Sequence, residues 1–197
     1  MGLFLCALWG CSAPAPIPGV QIAAPVSLLE LFPRARKTTE EGVEVSSQVK
    51  VVEVRVGERP EPVLFLHPTS EVIFPLRLER GAVLDTAIAL VPEGWTEGGD
   101  GVTFYVAVRV QGEDLPTYLF SRHLYPQLME AHRGWQPVSL DLTSYRGRDI
   151  ELILGTHPGP EGDSSYDWAV WRDPLLYHPV LDAEWIAARR ARQAGAR

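Results

Sequence analysis

Cysteine is nearly absent from this 197-residue chain, and the two that occur, Cys6 and Cys11, both precede the globular part. The body of the protein therefore has no disulfide and no thiolate ligand for zinc. The five histidines never occur three or four residues apart, which excludes the helical histidine pair of zinc hydrolases. A body of about 150 residues can bury roughly 70% of its unfolded surface, so a hydrophobic core is enough to stabilise it.

Positive charge is also in short supply. Lysine and arginine number 18 against 25 aspartates and glutamates, which gives a formal net charge of −7 and a pI near 5.2. The sequence has no basic stripe that would follow a phosphate backbone, so we expect no nucleic-acid partner. No apolar run approaches the roughly 20 residues that a membrane-spanning helix needs.

The N-terminal segment is strongly apolar up to Trp9 and then continues into Gly10 and Cys11. The four residues from Leu8 to Cys11 resemble the bacterial lipoprotein box, although Trp9 is bulky for its position and no lysine or arginine precedes the apolar run. The resemblance implies a signal segment over residues 1–11, lipidation of Cys11 and an extracytoplasmic protein held at the cell envelope by a lipid anchor. The alternative is an apolar N-terminus on a cytosolic protein.

Three further regions follow along the chain. Residues 12–25 hold four prolines and predict an extended, semi-rigid spacer. Residues 26–178 form the globular domain, which begins with one short helical turn at Ser27. Residues 179–197 turn basic and helical after Pro179, with Asp182 as the expected N-cap, and predict a C-terminal helix that docks loosely or frays. Contact of this tail with anionic lipid is the alternative.

Within the globular domain the hydrophobic residues follow the period of β-strands. The strand-like segments are 49–56, 71–78, 82–91, 102–110, 137–142, 149–154 and 166–171. In residues 102–110 five residues share one face and predict a core strand: Val102, Phe104, Val106, Val108 and Val110. Evenly spaced strands joined by turns rich in Gly, Pro and Asp predict an all-β protein, an antiparallel sandwich or barrel with short helical segments at its two ends.

Three stretches carry a resemblance to a known family: GDGVTFYVAVRV, LFSRHLYPQ, and the segment from RGWQPVSLDLTSYRG to SSYDWAVWRDPLL. They resemble the galactose-binding-like jelly-roll family, and in particular NPCBM-type carbohydrate-binding modules. The resemblance covers about residues 63 to 177 and implies a jelly-roll β-sandwich. It identifies YDWAVW as the closing strand, on which Asp167, Ala169 and Trp171 share one face.

The resemblance also implies a structural calcium ion, because relatives often hold one where a loop meets an edge strand. Asp100 and Asp163, each beside glycine, are the candidate ligands, and Asp167 is expected to lie inside the strand instead. We expect the loop over residues 159–165 to lie close to the loop that contains Asp100. The alternative is turn chemistry, in which each aspartate caps its own turn.

Sugar recognition requires an exposed aromatic face with fixed polar groups beside it. Trp95 lies in a loop without strand periodicity and Tyr166 begins the closing strand, so both are candidate sugar-binding residues. Arg122 and His123 flank a loop that can grip an acidic sugar. Trp135 opens an apolar strand and is expected in the core.

Catalytic machinery is not evident. The sequence has no Gly-x-Ser-x-Gly elbow, and nothing in it brings two carboxylates together across a cleft as glycosidases require. The sequence therefore predicts a non-catalytic lipoprotein of the cell envelope whose β-sandwich binds glycan. The first alternative is a structural or assembly lipoprotein that binds another envelope protein, and the second is a small hydrolase.

Overall fold

The computed structural model describes residues 19–195. The predicted signal segment, Cys11 and the first part of the predicted spacer lie outside these residues. No helix within the described range is long and apolar enough to cross a membrane.

The described part of the chain contains twelve strands, three α-helices and four single-turn 3-10 helices. The strands are β1 (Val20–Ile22), β2 (Val26–Ser27), β3 (Arg36–Thr39), β4 (Val49–Val54), β5 (Glu61–Leu66), β6 (Ser70–Leu78), β7 (Val83–Leu90), β8 (Val102–Val110), β9 (Thr117–Leu124), β10 (Gln136–Asp141), β11 (Asp149–Pro158) and β12 (Ala169–Tyr177). The α-helices are α1 (Leu28–Leu31), α2 (Val45–Gln48) and α3 (Ala183–Gly195). The predicted all-β class is confirmed.

The strands form two six-stranded sheets. Sheet A has the order β1-β6-β11-β8-β9, and β3 also pairs with β6. Sheet B has the order β10-β7-β12-β5-β4, and β2 pairs with β12. All pairings are antiparallel except that of β1 with β6. The two sheets face each other as a sandwich, as the sequence predicted.

The core between the sheets contains the predicted face of β8. All five of its residues belong to one buried cluster with residues of sheet B. Phe104 meets Trp171 of β12 edge to face, with ring centroids 5.5 Å apart. The strict alternation of β8 therefore places its apolar residues in the core, and Trp171 is the core member of the closing strand.

The outward face of sheet A is partly covered by its own aromatic side chains. Tyr105 is 2% exposed although it lies on this face, and its ring packs against Gly155, where an added Cβ would stand 2.2 Å from the ring. The Tyr105 hydroxyl donates to Glu71 (2.6 Å), and the His157 ring stacks on the tyrosine at 4.8 Å. A small aromatic cluster thus covers the middle of this face.

The N-terminal end of the body differs from the sequence prediction. Val20–Ile22, predicted as part of the spacer, form β1 beside β6, and Ile22 is buried. The spacer prediction is therefore too long, since an apolar Val-x-Ile triplet pairs with the open edge of sheet A. At the other end α3 docks on the body, because Ile186 is buried against Leu175 and Tyr177 of β12.

Candidate functional site

Two loops meet at one end of the sandwich, as the sequence predicted. The loop over residues 92–101 lies against the loop over residues 159–168, and we call the pair the loop-end site. A Cβ on Gly94 would stand 2.7 Å from the Tyr166 carbonyl oxygen, and one on Gly99 would stand 2.6 Å from the Ser165 carbonyl oxygen. Glycine at these two positions therefore permits the backbones to touch.

Asp100 joins the two loops from beneath. It is 5% exposed, and its Oδ2 accepts a hydrogen bond from the backbone N–H of Glu161. Gly159 lies directly against this carboxyl group. The second oxygen, Oδ1, is buried without a hydrogen-bond partner among the described residues. Asp100 thus keeps one buried oxygen that can still accept a proton donor or a cation.

Asp167 is the more unusual carboxyl group. It is fully buried, and neither of its oxygens has a hydrogen-bond partner within the described part of the chain. Burial, together with the smaller effects of the negative charges of Asp100 and Asp163, raises the pKa of Asp167 to about 8. A buried, unpartnered carboxylate beside two others is costly unless a proton or a cation neutralises it.

Asp163 differs from the prediction that paired it with Asp100. Its side chain is exposed, and its Oδ1 accepts from the Ser165 backbone N–H at 2.9 Å. Hydrogen bonding with the Ser165 side chain, and then with its backbone N–H, lowers the pKa of Asp163. Asp163 therefore caps its own turn, and Asp167 supplies the buried carboxylate next to Asp100.

The metal-ligating capacity of the loop-end site rests on few side chains. Among residues 19–195 no cluster of three or more acidic, histidine or cysteine side chains is arranged to hold a metal ion. Asp100 and Asp167 would therefore need backbone carbonyl oxygens or water to complete the six to eight oxygen ligands that calcium takes. The three unpartnered oxygens of this pair are the feature that fits such an ion.

A third loop, over residues 125–134, contacts the loop over residues 92–101. The Gln127 side-chain amide donates to the carbonyl oxygens of Gly94 (3.1 Å) and Gly98 (3.4 Å). Leu128 and Met129, the next two residues, are 75% and 49% exposed. The loop-end site is therefore held in place from one side and has an apolar rim.

Tyr166 is the exposed aromatic residue of the site. It is 41% exposed and has a φ of 61°, in the left-handed region that residues other than glycine rarely adopt. Its ring meets that of Trp168, which is half-buried, edge to face at 5.9 Å. The two rings form one aromatic surface beside Asp167.

Trp95 does not form the exposed platform that the sequence predicted. It is half-buried and packs against two apolar clusters of the body. Its indole N–H donates to the Leu90 carbonyl oxygen at 2.9 Å. The indole therefore anchors the 92–101 loop to the end of β7, because both its ring and its donor are used by the protein.

Arg122 and His123 are separated by the geometry of β9. Because successive residues of a strand point to opposite faces, only one of them can join a given surface. The His123 ring lies against Gly101, and its Nδ1 is 3.3 Å from the Thr103 hydroxyl. Arg122 is exposed and lies over the Phe120 ring at 5.7 Å. His123 is therefore the one beside the loop-end site.

Sequence reasoning missed two members of this site, Asp167 and Trp168. It placed both inside a strand over residues 166–171, whereas β12 begins at Ala169. The left-handed turn at Tyr166 releases the next two residues from the strand and directs Asp167 inward. No pattern in the sequence marks a tyrosine in that conformation.

No protein-family profile matches the chain. An uncharacterized protein of Archaeoglobus fulgidus is 40% identical over 122 residues, which cover 58% of this chain and 30% of that protein. The chain thus spans less than a third of the length of this relative.

Several solved structures share the fold. CBM51 from Clostridium perfringens GH95, solved in complex with methyl-galactose, superimposes with a TM-score of 0.51 at 16% identity over 78% of this chain and 99% of its own. The tandem CBM51 modules of a family 98 glycoside hydrolase from Streptococcus pneumoniae give 0.52 at 12% identity, over 79% of this chain and 47% of theirs. The K3 cleaved adhesin domain of Lys-gingipain from Porphyromonas gingivalis gives a TM-score of 0.50 at 13% identity, over 73% of this chain and 91% of its own. The chain therefore shares the β-sandwich fold of these solved structures, as the sequence resemblance implied.

Proposed function

We propose that this protein is a non-catalytic glycan-binding module whose binding surface is the loop-end site. The observation that carries the proposal is the pair of aromatic rings, Tyr166 and Trp168, exposed or half-exposed at 5.9 Å from each other on a loop fixed from beneath. An aromatic face stacks on the apolar face of a sugar, and nearby polar groups then select its hydroxyl pattern. His123 and the backbone groups of the two loops supply such polar groups.

The fold gives a second line of support. A module with this fold has been solved with methyl-galactose, so galactose-containing glycans are the first to be tested. The alternative partner is another envelope protein, and the exposed apolar rim of Leu128 and Met129 is the surface that would serve it. Since a fold alone does not fix function, the aromatic pair decides our preference for glycan.

A calcium ion would fit beneath the two loops. Asp100 and Asp167 would hold it, since three of their oxygens are buried without partners. When bound, the ion would neutralise the two carboxylates and fix the loops that carry the aromatic pair. Asp163 would keep its role in the turn.

The absence of catalysis is part of the proposal. The carboxylates that lie together, Asp100 and Asp167, are buried under the loops rather than placed on either side of an open cleft. A glycosidase needs its two carboxyl groups about 5–9 Å apart with the glycosidic bond between them. This pair is suited to holding a cation and not to attacking a bond.

We further propose that the module acts outside the cytoplasm on a lipid anchor at Cys11. The support is the sequence Leu8-Trp9-Gly10-Cys11 with the proline-rich residues after it. Such a layout holds a binding module at the envelope surface, where glycans are found.

A glycan array tests the proposal directly. The full chain is labelled and applied with calcium and, separately, with chelator. We expect binding to a subset of glycans, strongest with calcium, and loss of the same signals for Tyr166→Ala and Trp168→Ala. Trp185→Ala is the matched control, since Trp185 is a 36% exposed aromatic on α3, away from both loops. Binding to no glycan, or equal binding by all variants, would contradict the proposal and favour a protein partner.

A further inference from the structure

A cleft separate from the loop-end site lies on the outward face of sheet B. It has a volume of about 680 Å³ and lies between α3 and the segment over residues 57–61. Small-molecule sites have volumes of about 300–1,000 Å³. None of the residues that line the cleft belongs to either loop of the loop-end site. The cleft can therefore hold a small ligand of its own.

The walls of the cleft are apolar on one side and aromatic on the other. Leu175 and Ile186 form the side beneath α3, and Trp135 lies opposite, with the small side chain of Ala87 also in the lining. Trp135 was predicted in the core but is half-buried, and its indole N–H is buried without a hydrogen-bond partner among the described residues. Because this N–H is shielded from solvent, the rest of the indole is what Trp135 presents to the cleft.

Two of the four arginines that line the cleft are committed to holding α3. Arg189 forms a tight ion pair with Asp173, and Arg190 lies 3.8 Å from Asp85. The Asp85 carboxylate also accepts from the Tyr177 hydroxyl at 2.6 Å. Two acidic groups of the lining are thus neutralised by the protein itself.

The other two arginines keep most of their donors. Arg172 lies over the Trp135 ring at 4.7 Å and reaches Glu61 by a single contact of 3.6 Å. Arg59 forms no ion pair with any described residue, and Glu58 beside it also forms none. A guanidinium group has five N–H donors in a planar fork that matches a carboxylate. The cleft therefore has unused donors at one wall, with an aromatic ring beside them.

We propose that this cleft binds an acidic sugar of hexuronate type. Its carboxylate pairs with Arg172 and Arg59, and its ring lies between the Trp135 side chain and the apolar wall beneath α3. Glu61 competes for Arg172 and Glu58 repels the anion, so both weaken the binding. Because this cleft shares no residue with the loop-end site, the proposal stands or falls independently of the function proposed above.

Titration of the full chain with D-glucuronate, followed by NMR of the six tryptophan indole N–H groups, tests the proposal. Trp135→Phe assigns the Trp135 signal by removing it. We expect glucuronate to move this signal, glucose to leave it in place, and added salt to weaken the binding because the pairing is ionic. Tyr166→Ala should bind glucuronate as wild type does.

Two variants of opposite sign separate a binding role from a folding defect. Arg172→Gln should lower the affinity for glucuronate roughly tenfold or more, as expected when a charged hydrogen bond is lost. Glu61→Gln frees Arg172 from its competitor and should raise the affinity, which a damaged fold cannot do. If glucuronate leaves the Trp135 signal unmoved, if glucose binds equally well, or if Glu61→Gln weakens binding, the proposal is overturned.

Discussion

Replacing Asp167 with asparagine is expected to stabilise the protein when no cation is present. Most substitutions of buried residues destabilise, so the sign of this effect is diagnostic. The Asp167 carboxyl group is fully buried, has no hydrogen-bond partner among residues 19–195, and has a pKa raised to about 8 by burial and then by Asp100 and Asp163. Asparagine keeps the shape of the side chain and removes the charge.

The sign and the pH window follow from the raised pKa. Between pH values of about 4 and about 8 the folded protein holds the Asp167 proton while the unfolded chain has lost it. The contribution of Asp167 to stability is therefore greatest below about pH 4 and falls as the pH rises through this window. The displacement of the pKa from 3.8 to about 8 sets an upper limit on the order of 5 kcal/mol for this loss. The asparagine variant has no such proton, so its advantage over the wild type grows from pH 5 to pH 8.

Urea unfolding at pH 5 and pH 8, in chelator and in calcium, measures the effect. In chelator the variant should be more stable than the wild type at pH 8, and the difference should shrink at pH 5. A calcium site filled at a hundred times its dissociation constant adds about 2.7 kcal/mol to the wild type, and the variant should lack this gain. Asp163→Asn is the control and should change stability by less than about 1 kcal/mol, since its side chain is exposed. If Asp167→Asn is less stable than the wild type in chelator at pH 8, the reasoning is refuted.

Three further outcomes are expected. Phe104→Ala should cost about 3–5 kcal/mol of unfolding free energy because it opens a cavity in the core. Thr103→Ala, on the outward face of the same strand, should cost under about 1 kcal/mol. Equal losses of the two variants in urea unfolding would mean that both faces are packed alike. Gly155→Ala should cost about 1–3 kcal/mol of unfolding free energy because its methyl group enters the space of the Tyr105 ring. Gly57→Ala is the control and should be close to neutral, because an added Cβ there meets nothing within 4 Å. Mass spectrometry of membrane-extracted protein should find an acylated N-terminus at Cys11, and an intact N-terminus in the cytosolic fraction would contradict the anchor.

The sandwich could be predicted from sequence because its strands alternate. The face of β8 from Val102 to Val110 lies in the core as the period of two required, and its partner β11 runs apolar at strand length. Val20–Ile22 could not be placed in the same way. A three-residue strand carries almost no period, and its pairing is set by the open edge of β6.

The position of the loop-end site was predicted from the sequence, but several of its residues were not. The family resemblance, together with the density of Gly and Asp, predicted that the two loops meet, and Gly94 and Gly99 permit the close approach of their backbones. Whether Asp163 or Asp167 lies buried beside Asp100 depends on where β12 begins. The left-handed conformation of Tyr166 keeps Asp167 out of the strand, and the sequence does not reveal that conformation. Trp95 was placed at the surface because its loop has no period, yet its indole finds a partner in the Leu90 carbonyl oxygen.

The central claim is that the aromatic pair of the loop-end site binds glycan, and calorimetric titration tests it most directly. The glycan that binds best on the array is titrated into the full chain and into Tyr166→Ala, both with calcium. We predict that the variant loses about tenfold in affinity, equivalent to about 1.4 kcal/mol, while its unfolding in urea is unchanged because Tyr166 is 41% exposed. Equal affinity of the two proteins for that glycan would contradict the claim.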